Sequence, residues 1–210
     1  MTTIYIATSN PGKLHDFAGA ASLFGIEVAP LPGFAALPPV HEDGETFESN
    51  ARKKAECYSR DAPTKESLVL ADDSGLEVFS LNGAPGVRSA RYASDDSAVV
   101  APGERDHDAA NNARLLRALE GVPDADRAAR FVCALAVARE GRVLKIFEAE
   151  VRGTILRAPR GQNGFGYDPL FLVPELAKTT AELSAQEKAA ISHRGRAFKK
   201  FLEWYREQKE

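Results

Sequence analysis

The chain has 210 residues, 44% of them hydrophobic, and carries a formal net charge of −3 with a pI of about 5.9. That size sustains a sizeable core, as one large domain or two tightly joined lobes. The acidic balance excludes global attraction to nucleic acid or to an anionic membrane face, so any anion site is local. Cys57 and Cys133 are too few for a disulfide framework or a zinc site and read as reduced core thiols. No run of about 18 apolar residues predicts a spanning helix. The N-terminus enters a strand with no basic-then-apolar leader, so a cytoplasmic protein is expected.

In chain order, "TIYIAT" (3–8) has the short, β-branched look of a buried strand. Asn10 is placed to cap a helix and Pro11 suits its first position. Leu14, Phe17, Ala18, Ala21 and Phe24 recur at helical spacing, and Gly25 suits a stop. "IEVAPL" (26–31) predicts a second strand, and 32–45 an acidic Pro/Gly loop. A helix is predicted over 46–60 with Phe47, Ala51, Ala55 and Tyr58 on one face. "SLVLADD" (67–73) predicts a strand ending in two carboxylates, and "LEVFSLNG" (76–83) a further strand running into a turn. Residues 94–108 read as a mobile surface loop, and 109–121 as a helix. Residues 129–156 form a long hairpin pattern turning near Glu140-Gly141, followed by a Gly-rich loop (157–169) and the strand "LFLV". Ser184 and Glu187 form a capping box, and the last helix presents Phe198, Phe201, Leu202 and Tyr205. With no repeat and no separable linker, 1–210 is expected to be a single domain. Strands and helices mix without strict βαβ alternation, which predicts an α/β fold with a mixed sheet and flanking helices.

Five stretches carry chemistry. "TSNPGK", Thr8 to Lys13, joins strand to helix start, where backbone N–H groups and the helix dipole favour an anion. Ser9 and Asn10 add donors and Lys13 a full charge, but the spacing is not that of a Walker A loop. A capped helix with a solvated lysine fits the same residues. In "ADDSG" (71–75), Asp72 and Asp73 point to opposite faces of a strand, so they have different roles; one can hold a divalent cation and either can accept a proton from water, or the pair is a solvated turn. Glu42, Asp43 and Glu45 precede a helix, and Glu42 with Asp73 makes a plausible pair for Mg²⁺, which needs only one or two carboxylates. "GQNGFGYDP" (161–169) sets Phe165 and Tyr167 among glycines, offering flat faces to a base, with Asp168 as an acceptor; the competing reading is a loop whose aromatics plug the core. Lys188, His193 and Arg194 lie at a helix–helix junction and supply donors for phosphates or base carbonyls. His15, His41 and His107 read as surface residues.

"TSNPGK", "TFESNARKKA", "ADDSGLEV…GAPGVRSARY", "GFGYDPLF" and "KTTAELSAQEKAAISHRG" stand in the order found in the inosine triphosphate pyrophosphatase family, which the chain resembles from about residue 4 to 202. The resemblance implies a long mixed β-sheet with flanking helices and two lobes around a central nucleotide-binding cleft. It implies a Mg²⁺-dependent homodimer that converts ITP, dITP or XTP to the monophosphate and pyrophosphate. By the same resemblance Asp73 is the proton acceptor and, with Glu42, a metal ligand. Thr8, Ser9, Asn10, Pro11, Gly12 and Lys13 bind the triphosphate, and Ser74, Phe165, Gly166, Tyr167, Asp168, Lys188, His193 and Arg194 contact the nucleotide. Two positions depart from the family pattern. Ser9 stands where Asn or Gly is frequent, and Ser49 where Phe-x-Glu-Asn has glutamate; Glu48, about 100° round the helix, is no substitute. A regulator that binds the nucleotide without turning it over, and a pyrophosphatase for modified pyrimidine triphosphates, are the competing functions. The carboxylates argue against the first, since a pure phosphate binder gains nothing from them unless a metal is present.

Overall fold

The computed structural model describes residues 4–95 and 104–208. Its strands are β1 (Ile4–Ile6), β2 (Val28–Pro30), β3 (Leu68–Val78), β4 (Ala128–Arg139), β5 (Arg142–Ile155), β6 (Phe171–Val173) and β7 (Lys178–Thr179). Its helices are α1 (Pro11–Ser22), α2 (Phe47–Tyr58), α3 (Glu104–Ala118), α4 (Ala185–Ile191) and α5 (His193–Glu207). Among the described residues the strands form one sheet in the order β2-β1-β3-β4-β5-β6-β7. β1 runs parallel to β2 and β3, while β6 runs antiparallel to β5 and β7. β4 and β5 are joined by Glu140 and Gly141, both at positive φ, a two-residue turn that forces an antiparallel hairpin. The sheet is therefore mixed, as expected.

The chain divides into two compact units, and β3, β4 and β5 supply residues to each. The first comprises residues 1–74, 133–150 and 189–210. Its core sets Ile4, Ile6, Leu68, Leu70, Leu135 and Val137 of the sheet against Phe17 of α1 and Phe198, Phe201 and Leu202 of α5. The second comprises 75–132 and 151–188. Within it Phe131 and Phe171 pack at 4.5 Å between ring centroids, and Leu115 of α3 and Leu119, just past its end, are fully buried.

Three local expectations change. The predicted strands 67–73 and 76–83 are one, β3, which carries Ser74 and Gly75 in its interior; Asp72 and Asp73 therefore sit mid-strand rather than at an end. Buried apolar residues on both sides of the Ser-Gly step keep the strand going where local turn chemistry would stop it. The loop expected over 94–108 is already helix from Glu104; 96–103 lie outside the described residues. On α1 the buried set is Asp16, Phe17, Ala20 and Ala21, and Ala18 is exposed. Among the described residues no helix is long and apolar enough to cross a membrane. Cys133 is fully buried and Cys57 half-buried, neither in a disulfide, and His15, His41 and His107 are exposed.

Candidate active site

In the first unit, Asn10 caps α1, its Oδ1 accepting from the Lys13 backbone N–H at 3.0 Å, while its own N–H donates to Thr8 Oγ1 at 3.2 Å. Ser9 and Pro11 are exposed and Gly12 half-buried, so the turn faces outward at the positive end of the helix. Lys13 reaches Asp72, its Nζ lying 3.0 Å from Oδ1 and 2.9 Å from Oδ2. Asp72 also accepts from Ser74 Oγ at 2.8 Å, and its Oδ2 stands 3.6 Å from Arg194 Nε. Burial pushes this carboxyl up, but Lys13, Arg194 and Lys54 overcome it and hold Asp72 well below the usual carboxylate range. Arg194, the second residue of α5, donates from Nη2 to Ser74 Oγ at 2.6 Å and from Nη1 to Asp16 Oδ2 at 3.0 Å. His193, the first, is 3% exposed behind the cap Ser192, whose Oγ accepts from the Gly195 N–H at 3.1 Å.

Asp73 points the other way from the strand, to a different set of partners. Asn50 Nδ2 donates to its Oδ2 at 3.0 Å, and Lys54 Nζ lies 3.3 Å from its Oδ1. The same Nζ lies 3.3 Å from Glu42 Oε2. Burial raises the Asp73 carboxyl above its ordinary value, against the pull of Lys54, Lys13 and Asn50 and with the help of Glu42. A mid-sheet carboxylate whose proton affinity is raised by burial suits the acceptance of a proton from water. Asn50 also binds the acidic loop, its Oδ1 accepting from the Gly44 N–H at 2.8 Å. A Cβ at Gly44 would fall onto Ser49 Oγ and Asn50 Oδ1, so only glycine allows that approach.

Which residues suit a metal follows from this geometry. Among the described residues no group of three or more His, Cys, Asp or Glu is placed to hold one. Glu42 and Asp73 nonetheless converge on one cationic point, the Lys54 ammonium, and two hard carboxylates fit a divalent cation completed by water and phosphate oxygens. Ser49 takes no part: it forms a reciprocal capping box with Thr46. Glu48 pairs with Arg52 on the exposed side of α2.

In the second unit the glycine–aromatic loop is tied down by Asp168, which is 3% exposed. Its Oδ2 accepts from the Phe165 N–H at 2.9 Å and from Lys188 Nζ at 2.6 Å, and its Oδ1 accepts from Thr180 Oγ1 at 2.8 Å. Asp168 therefore organises the loop from within. The Gly166 peptide is gripped from α3, its N–H donating to Asp108 Oδ2 at 2.7 Å and its carbonyl accepting from Asn112 Nδ2 at 2.9 Å. The expected flat face at Tyr167 is turned inward: the residue is 4% exposed and its hydroxyl donates to the Ser89 carbonyl at 2.8 Å, so this ring fills the core. Phe165 is half-buried, with Lys188 Nζ 5.0 Å from its ring centroid.

Asp16, Asn50, Lys54, Asp108, Asn112 and Thr180 escape the sequence reading. The signal for Asn50 and Lys54 was present: they interleave with Phe47, Ala51, Ala55 and Tyr58, polar groups on a core-facing stripe.

The chain matches the Ham1 family over residues 4–204. It is 51% identical over 201 residues to a dITP/XTP pyrophosphatase of Acidobacterium capsulatum, covering 95% of this chain and 96% of the relative. It is 49% identical over 207 residues to another from Geobacillus kaustophilus, covering 99% and 96%. Among solved structures it superposes on the Staphylococcus aureus Ham1 protein with a TM-score of 0.78 at 40% identity, covering all of both chains. The HAM1 protein of Coxiella burnetii gives a TM-score of 0.79 at 39% identity, covering 99% of this chain and all of that one.

Proposed function

Because the chain belongs to the Ham1 family, we infer that it is a nucleoside triphosphate pyrophosphatase acting on non-standard purine nucleotides, ITP, dITP and XTP, and releasing pyrophosphate. The single observation that carries this reading is the division of labour on β3. Asp72 is neutralised by Lys13 and Arg194, while Asp73, one residue on, is raised and stands with Glu42 about a single cation.

The triphosphate is assigned to the α1 turn, Thr8 to Lys13, whose outward N–H groups and lysine favour phosphate oxygens. Glu42 and Asp73 are the residues for Mg²⁺, which when bound offsets phosphate charge. Asp73 orients a water against the α-phosphorus and takes its proton; Lys13 steadies the leaving pyrophosphate. The nucleoside is assigned to Ser74, Lys188, His193 and Arg194 and to the loop from Phe165 to Asp168, Tyr167 acting through the backbone it anchors. Donors aimed at a six-keto oxygen are left unmatched by adenine, and unmatched buried donors give large discrimination. A homodimeric, cytoplasmic enzyme of one domain completes the reading.

The test is pyrophosphate release from a panel of ITP, dITP, XTP, ATP, GTP and modified pyrimidine triphosphates, with and without Mg²⁺. Metal-dependent turnover that prefers the deaminated purines is expected. Preference for the pyrimidines, or binding of ITP with no turnover, would overturn it. Light scattering in the same buffer should report a mass of twice the chain.

A further inference from the structure

Helix α1 carries a second charged side chain beyond Lys13. Asp16 follows by three residues, on the same side of the helix, and is 8% exposed. A buried carboxylate on a helix of a net-acidic chain needs a partner. Asp16 Oδ2 finds one 178 positions away, accepting from Arg194 Nη1 at 3.0 Å, where the two side chains are 8% and 6% exposed.

Two other groups near Arg194, Asp72 and Ser74, constrain it less. Asp72 Oδ2, at 3.6 Å from Nε, is beyond hydrogen-bond length and already serves Lys13 and Ser74. Ser74 Oγ accepts from Nη2 at 2.6 Å, but a hydroxyl can turn about its own bond. The charge-assisted bond to Asp16 fixes one edge of a planar fork, and with one edge fixed the plane is set.

We propose that Asp16 is a positioning residue for the pyrophosphatase reaction, setting the plane and reach of the Arg194 guanidinium before the nucleotide arrives. α1 then does two things with one turn of helix: Lys13 faces Asp72, and Asp16 holds the arginine that also faces Asp72. The inference rests on the assignment of Arg194 to the nucleotide, and the experiment separates the two.

The guanidinium resonances of Arg194 are followed by nitrogen-detected NMR in the full-length protein, alongside steady-state turnover of ITP and ATP. The variants are Asp16→Asn, Asp16→Glu, Arg194→Ala and Asp16→Asn with Arg194→Ala. In the parent protein, slow rotation about the Arg194 Cζ–N bonds is expected. Asp16→Asn should release that rotation and lower kcat/KM for ITP by about 10- to 100-fold, the scale of a misplaced binding group. Asp16→Glu should recover part of both. The double variant should be no worse than Arg194→Ala, because Asp16 acts through the arginine. Losses that multiply in the double variant, or a guanidinium that stays restrained in Asp16→Asn, overturn the proposal. If Arg194→Ala turns over ITP normally while Asp16→Asn still frees the guanidinium, the assignment of Arg194 to the nucleotide falls and the positioning contact stands.

Discussion

Asp72→Asn isolates the electrostatics of the first unit. The residue is 3% exposed and stands within ion-pair distance of both Lys13 and Arg194. Replacing the carboxylate by an amide keeps the shape and leaves two largely buried cations facing each other. Removing one partner of a buried pair costs about 3–5 kcal/mol. For a chain of this size each kcal/mol lowers the melting temperature by about 2–4 °C, which predicts a drop of roughly 6–20 °C at neutral pH. The pH dependence has a definite sign. Asp72 is held well below its ordinary value in the folded protein, against about 3.9 when unfolded. Its ionised form therefore contributes full stability above about pH 4 and loses it as pH falls toward the lower folded value. Asparagine does not titrate, so the gap between the two proteins should narrow in acid. Urea unfolding followed by Trp204 fluorescence, from pH 7 downward, measures this. A loss below about 1 kcal/mol at pH 7, or a gap that stays constant below about pH 4, would refute the reasoning.

Asp73→Asn should lower kcat for ITP by about 10²-fold or more, the scale of a lost general base, and turnover near that of the parent would remove Asp73 from the role. Because burial raises the Asp73 carboxyl in the metal-free protein, its carboxyl carbon resonance should titrate above the ordinary 3.8 in the absence of Mg²⁺, and a midpoint below that value would contradict the structure. Lys54→Met withdraws the ammonium from between Glu42 and Asp73, so metal-free protein should melt earlier and Mg²⁺ should raise its melting temperature more than it does the parent's; equal responses in thermal shift would show that the ion binds elsewhere. Gly44→Ala forces the acidic loop off Ser49 and Asn50 and should cost about 1–3 kcal/mol in denaturant, together with part of the activity that Asn50 supports at Asp73.

Much of this protein was legible along the chain because the responsible interactions are local. Asn10 before Pro11, Ser184 with Glu187, and Glu140-Gly141 between two runs of strand each act across a few residues, and each appears where its chemistry places it. The separate partners of Asp72 and Asp73 follow from the pleat of a strand. What only the tertiary structure decided are contacts between distant segments. No periodicity announces that Asp16 meets Arg194, or that Asp108 and Asn112 grip the peptide of Gly166. Tyr167 shows the same limit: its sequence neighbours suggested an exposed ring, and a carbonyl at Ser89 drew it inward. A side chain's local preference is worth a few tenths of a kcal/mol, whereas a buried charge or hydroxyl without a partner costs several times more. Where the two compete, the distant partner prevails.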